Sequence, residues 1–208
     1  MNIRIIGKED AFSKHLKSQG FVYIVLLAVF LIGILGGTIY YKNVTDEQSM
    51  ATYIENTFSK LAENADLDTY EILKESILKN VGISALFLIL GASVIGIPLL
   101  LVYIGYRGFT LGFTISSLIE AFGFVKGNTI SFVMLFFQNS LMLVAMLVAM
   151  VSAIKLAVNL LAKHKDMKIE LLRHTIVCAF CMVIFLGASI LEAVFNGPVL
   201  GIVLAKLK

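Results

Sequence analysis

The stretch K-N-V-G-I-S-A-L-F-L-I-L-G-A-S-V-I-G-I-P-L-L-L-V-Y-I-G-Y-R-G-F-T-L-G-F-T-I-S-S-L-I-E, residues 79–120, decides the class of this protein. Between Lys79 and Arg107 lie 27 residues without a charge, more than the roughly 20 helical residues that cross the hydrocarbon core of a bilayer. This segment spans a membrane. It also carries Gly82, Gly91, Gly96 and Pro98. Proline removes a backbone donor and strains the turn before it, so the reading is a second transmembrane helix over 80–106, bent at Pro98. In lipid the freed carbonyls are tolerated only where protein or a wet cavity covers them, so other helices must pack here.

Composition carries the same message along the whole chain. Of 208 residues 59% are hydrophobic and 15% charged, against about a quarter charged in an ordinary soluble domain. The expected fold is all-α: a polytopic integral membrane helix bundle of about five transmembrane segments, forming a single membrane domain over 1–208. The net charge of +3 is small and its signs are segregated along the chain. That pattern sets topology in a lipid bilayer and gives no sign of a nucleic-acid partner. The two cysteines, Cys178 and Cys181, sit together in an apolar run, so no disulfide framework is implied.

Residues 1–20 open with Arg4, Lys8, Lys14 and Lys17. The positive-inside rule places this end in the cytoplasm. The apolar run that follows, 21–41, exceeds the h-region of a signal peptide and lacks an A-x-A-like site, so it reads as a retained first transmembrane helix. Its Gly33-x-x-x-Gly37 spacing is either a packing seam or simply small residues in an apolar helix. Residues 42–79 hold eight acidic and four basic side chains, which suits an extracytoplasmic helical loop. Met50, Ile54, Phe58 and Leu61 recur at helical spacing there. D-T-Y-E at 68–71 has the form of a capping box that starts a second helix through Tyr70, Leu73 and Ile77. Tyr53, Ile54, Phe58, Leu61, Tyr70, Leu73 and Ile77 are the candidate partner-facing surface. An Asp66-x-Asp68 metal site is disfavoured against an N-cap, because no third carboxylate stands at calcium-loop spacing.

Beyond Arg107, read as the cytoplasmic edge, 108–122 forms a third segment too short for an ordinary crossing, either buried or re-entrant. Gly108 and Gly112 give it another close-approach pair. Glu120 reads first as an interfacial carboxylate, with a transport role as the alternative. The fourth segment, 128–154, is interrupted by F-F-Q-N-S, and Gln138 and Asn139 should face protein. Met142, Met146 and Met150 at i, i+4 and i+8 read as core packing. A basic loop, 155–174, returns to the cytoplasm. The fifth helix, 175–199, carries one charge, Glu192, and leads to an extracytoplasmic tail over 200–208. In an apolar bundle Glu192 is expected to be protonated or paired, with Arg107 or the Gln138 and Asn139 amides as partners. His174, Cys178 and Cys181 share a helical face, but apolar burial explains them more simply than a soft metal. No metal or other cofactor is expected.

Taken in order, several pieces resemble one family. They are the basic N-terminus with one helix, the acidic outer segment, K-N at 79–80 opening a G-x(4)-G-I-P helix, R-G-F-T-L-G at 107–112, F-Q-N at 137–139, and L-E-A-V-F-N-G-P at 191–198 with Gly197 and Pro198. Nearly the whole chain is similar to the stage II sporulation protein M family of multi-pass bacterial membrane proteins. Phe137 stands where relatives tend to have proline, so no kink is implied there. The resemblance implies a role at the septum between mother cell and forespore, in the engulfing membrane. There it would act as an anchor for the cell-wall-degrading stage II sporulation proteins D and P, the hydrolytic chemistry belonging to those partners.

The residues fit that division of labour, since no H-E-x-x-H, G-x-S-x-G or P-loop pattern occurs. An enzyme is not expected. The leading reading is a membrane scaffold, with self-association left open. The rival is a transporter, channel or permease subunit using Asn80, Gln138, Asn139 and Glu192 as an intramembrane polar site. The topology has a direct test: cysteines placed at Asn43, Lys126 and Lys208 should react with an impermeant thiol reagent in intact cells, and one at Lys165 only after permeabilisation. The reverse pattern would invert the whole assignment.

Overall fold

The long apolar run around Pro98 folds as two helices joined by a tight turn. The structure, a computed structural model, describes residues 8–44, Thr52, 69–161 and 167–194. Among the described residues there are six α-helices and no strand: α1 Lys8–Val44, α2 Thr69–Gly91, α3 Gly96–Phe122, α4 Phe124–Ser131, α5 Phe137–Leu161 and α6 Met167–Val194. A π-helical turn, Phe132–Phe136, joins α4 to α5. Four helices, α1, α3, α5 and α6, are long and apolar enough to cross a bilayer. The chain is an all-α polytopic membrane bundle. The fifth long helix, α2, has 23 residues and is about 34 Å long at 1.5 Å per residue, but it carries Glu71, Lys74, Glu75 and Lys79.

The expected helix over 80–106 and the short segment over 108–122 are both corrected. The break falls at 92–95, closed by Ser93 N–H donating to Leu90 O at 3.0 Å and Gly96 N–H donating to Ser93 O at 3.1 Å. Pro98 lies in the first turn of α3. There a missing N–H costs nothing, because the first four donors of a helix have no intrahelical acceptor. In all α3 runs 27 residues without interruption, so 108–122 belongs to a full-length span. Arg107 moves from the expected membrane edge to the middle of that span. The loop expected over 155–174 also shrinks, since α5 continues to Leu161 and α6 begins at Met167. Charged side chains at helix ends can reach the interface without ending the helix.

Contacts fix the relative directions. Gly33 and Gly37 of α1 meet α3 at Gly105 and Phe109, and Gly108 and Gly112 of α3 meet α1 at Phe30 and Ile34, so these two helices run parallel. A Cβ on any of these four glycines would overlap a backbone carbonyl of the other helix. The two small-xxx-small motifs thus form one interface, in which backbones rather than side chains touch. Tyr41, buried, packs edge-on to Phe113 at 5.3 Å near the end of this seam.

On the other side α6 runs antiparallel to both α2 and α5: Asn80 meets Ser189 while Gly91 meets His174, and Gln138 meets Glu192 while Ser152 meets His174. A Cβ on Gly91 would come within 2.6 Å of His174 Nε2, which makes this a second close-approach position. Met142, Met146 and Met150 join Leu100, Ile104, Phe87 and Phe185 in the core. Flexible thioethers fill the irregular space between helices that side-chain packing alone must hold together in lipid. At the far end Gly123, with φ of 78°, reverses the chain into α4, a left-handed conformation open to glycine.

This packing predicts a sharp contrast between neighbouring glycines. Gly108→Leu must push α1 and α3 apart and should cost about 1–3 kcal/mol of overpacking. Gly105→Ala should be tolerated, because its Cβ would meet only Val29 Cγ1 at an ordinary 3.5 Å. Thermal unfolding in detergent reads the difference, and equal midpoints would refute the backbone contact.

Candidate functional site

The intramembrane polar side chains converge on one region between α2, α3, α5 and α6. Glu192, in the last turn of α6, accepts two hydrogen bonds at its Oε2, one from Ser76 Oγ of α2 and one from Gln138 Nε2 of α5. One carboxylate thereby joins three helices. Four residues along α2 from Ser76, Asn80 is fully buried and donates through Nδ2 to Ser189 Oγ at 2.8 Å and to Phe185 O at 3.3 Å. Ser189 in turn donates to Phe185 O at 3.2 Å. Ser76 and Asn80 are one turn apart, as are Ser189 and Glu192, so each helix presents its polar pair on one face.

Arg107 approaches from α3. Its Nη2 donates to Asn139 Oδ1 at 3.4 Å and to Met142 Sδ at 3.3 Å, both neutral acceptors. Asn139 is held by donating to Leu135 O at 2.8 Å. Arg107 forms no ion pair with a described residue; of the partners expected for Glu192, the Gln138 amide is the one found, and Arg107 bonds instead to Asn139. Arginine at the centre of a spanning helix costs about 2.5–3.5 kcal/mol, and a polar space beside it lowers that cost. Such a space exists: a cavity of about 420 Å³ lined by Lys79, Tyr103, Tyr106, Arg107, Thr110, Thr114, Gln138, Asn139 and Glu192 among others. The hydroxyls of Thr110 and Thr114 donate to carbonyls of their own helix, at 3.0 Å and 2.8 Å.

Of the residues expected from sequence, Asn80, Arg107, Gln138, Asn139 and Glu192 come together. Glu120 does not: it is exposed near the end of α3, away from the cavity. Gly91, Gly96 and Pro98 surround the turn at 92–95, and Gly108 and Gly112 serve the contact with α1. Tyr70 is exposed on α2, with Leu73 and Ile77 half-buried. Tyr53, Ile54, Phe58, Leu61, Gly197 and Pro198 lie outside the described residues. Sequence reasoning missed Ser76 and Ser189 as partners and Thr110 and Thr114 as cavity walls. The available signal was spacing, since Arg107, Thr110 and Thr114 fall at i, i+3 and i+7 on one helical face.

The face holding His174, Cys178 and Cys181 does not act as a unit. His174 Nδ1 lies 3.1 Å from Ser152 Oγ, and Cys178 Sγ is 3.5 Å from His174 Nε2. Cys181 turns instead to donate to Ala145 O at 3.3 Å. Among the described residues no three His, Cys, Asp or Glu side chains gather at metal-binding range.

The family model described as Stage II sporulation protein M matches residues 26–204. The chain belongs to that family. It is thus a sporulation-related, multi-pass membrane protein, and the matched region covers all but the start of the first span, the polar network and both glycine pairs. No curated protein and no solved structure matches the chain significantly.

The three-helix junction at Glu192 makes a separable prediction. Glu192→Leu leaves the Ser76 hydroxyl and the Gln138 amide without an acceptor and should lower stability by about 1–3 kcal/mol. Glu192→Gln keeps an acceptor oxygen and should lose less than half of that. Equilibrium unfolding in mixed micelles compares them, and identical losses would show that the acceptor is not what holds the helices.

Proposed function

We propose that this protein is a non-enzymatic membrane scaffold in endospore formation. It retains the stage II sporulation proteins D and P at the septum, while those partners remodel peptidoglycan during engulfment. Family membership supports the setting. The observation that carries the scaffold reading is how the two ends of the acidic segment 45–68 are held. On one side Tyr41 is buried against Phe113, where α1 and α3 meet backbone to backbone. On the other, Ser76 is tied to Glu192 near the start of α2. Both attachments lie at the same end of the bundle, with α1 leading up to it and α2 leading away.

A segment anchored at both ends by rigid helices loses less freedom when it binds than a free tail does, which favours recruitment. Ile54 and Phe58 stand at helical spacing in a stretch rich in acidic residues, the sequence pattern of an amphipathic docking segment. On this reading the N-terminus is cytoplasmic and the acidic segment is extracytoplasmic, on the side where the cell wall lies. Glu192, Gln138 and Asn80 support it by being bound to other helices. A transport pathway needs its polar groups free to exchange partners.

The double substitution Ile54→Asp with Phe58→Asp should lower recovery of protein D or P in a detergent pull-down by about tenfold, the effect expected when a small apolar anchor is lost. Membrane insertion, followed by protease protection, should be unchanged. Full recovery of the partner would remove this segment as the docking surface.

A further inference from the structure

Arg107 is an intramembrane cation whose bonding is left largely open among the described residues. Nη2 reaches two weak acceptors, while Nε and Nη1 donate to no described residue. A guanidinium has five N–H donors in a planar fork that matches a phosphate or carboxylate. Lys79 lines the same cavity and forms no ion pair with a described residue. Against these two cations stands one carboxylate, Glu192, whose Oε2 is already engaged by Ser76 and Gln138. With Glu192 ionised the cavity holds one net positive charge and a set of unused donors. That is the complement of a singly charged anion.

A second cavity, of about 620 Å³, lies on the other side of Leu111, Leu135 and Asn139, which line both spaces. Its remaining wall is chiefly apolar, including Phe30, Ile115 and Leu143. The π-helical turn at 132–136 shapes it, stacking Phe132 on Phe136 with ring centroids 4.7 Å apart. Wide helical turns of this kind recur at binding sites. A cationic chamber adjoining an apolar one fits an amphiphile. Neither a free anion nor a bare hydrocarbon would use both.

We propose that the paired cavities hold one glycerophospholipid, with its phosphodiester on Arg107 and Lys79 and an acyl chain along Leu111, Leu135 and Ile115. Glu192 is in the last turn of α6 and Gln138 in the first turn of α5, so the headgroup chamber lies in the half of the bundle towards that end. From that end the chamber reaches Arg107 at mid-span, so a lipid of the adjoining leaflet occupies it by drawing its phosphate about half-way through the bundle. The site is independent of the scaffold reading, because neither wall includes residues of the acidic segment.

Native mass spectrometry of the full-length protein, released from micelles doped with phosphatidylglycerol, tests the assignment. Wild type should retain one phospholipid per chain, and Arg107→Gln should lower that retention about tenfold or more, as loss of a bidentate charge-assisted contact implies. Leu135→Trp, which fills the shared wall but keeps both cations, should also lower it. Should Arg107→Gln fail to fold, Arg107→Lys keeps the charge without the fork and should still weaken retention. Millimolar inorganic phosphate should not displace the lipid. Absence of bound lipid on wild type overturns the proposal, as does retention indifferent to Arg107→Gln, or to Arg107→Lys where that variant stands in. Displacement by phosphate together with indifference to Leu135→Trp would assign the site to a soluble phosphate and overturn the acyl-chain half.

Discussion

A carboxylate inside an apolar bundle must find donors or lose its charge, and Glu192 finds them on two other helices at once. Ser76 of α2 and Gln138 of α5 both donate to the same oxygen. The apolar surfaces of the helices do not by themselves prefer one another to lipid tails. Polar contacts and close packing therefore supply both the attraction and the register between α2, α5 and α6. Asn80 and Ser189 repeat the arrangement one turn further along. Sliding α6 by a single residue against α2 would break both sets together, so each specifies the other.

The α1 and α3 pair is held differently. Its four glycines bring main chains into contact and contribute no side-chain polar bond to the seam. Dispersion summed over a close backbone contact replaces hydrogen bonding there. The bundle thus joins a three-helix polar unit to a two-helix glycine-packed unit. Arg107 reaches between them, since it stands on α3 and bonds to Asn139 and Met142 of α5.

Much of this was legible in the chain itself. Gly33 with Gly37, and Gly108 with Gly112, stand at a spacing that permits close helix approach, and the contact between α1 and α3 decides for the packing seam. Gln138, Asn139 and Glu192 were conspicuous because amides and carboxylates are costly in lipid unless satisfied. Their grouping was visible, but their partners were not: sequence spacing cannot pair Ser76 with a residue 116 positions away. The helix boundaries near Pro98 were misread for a specific reason. Ile95 occupies the N-cap position of α3 without any side-chain hydrogen bond, so the usual Ser, Thr, Asp or Asn signal of a helix start is absent. With no start signal before it, a proline in a first turn looks like a proline in a helix interior. Arg107 was accordingly placed at a membrane edge, and the short segment after it followed from that error.

The turn at 92–95 has a consequence for how the chain enters the bilayer. Four charged side chains make α2 a poor substrate for insertion on its own, each costing about 2.5–3.5 kcal/mol if stranded at the centre of the membrane. The turn ties it to α3, which is apolar enough to partition unaided. The two helices can be threaded in as a single hairpin, the willing strand drawing in the reluctant one. The hairpin is then secured only once α6 arrives with its carboxylate, so a helix made some hundred residues later is the one that fixes α2 in place.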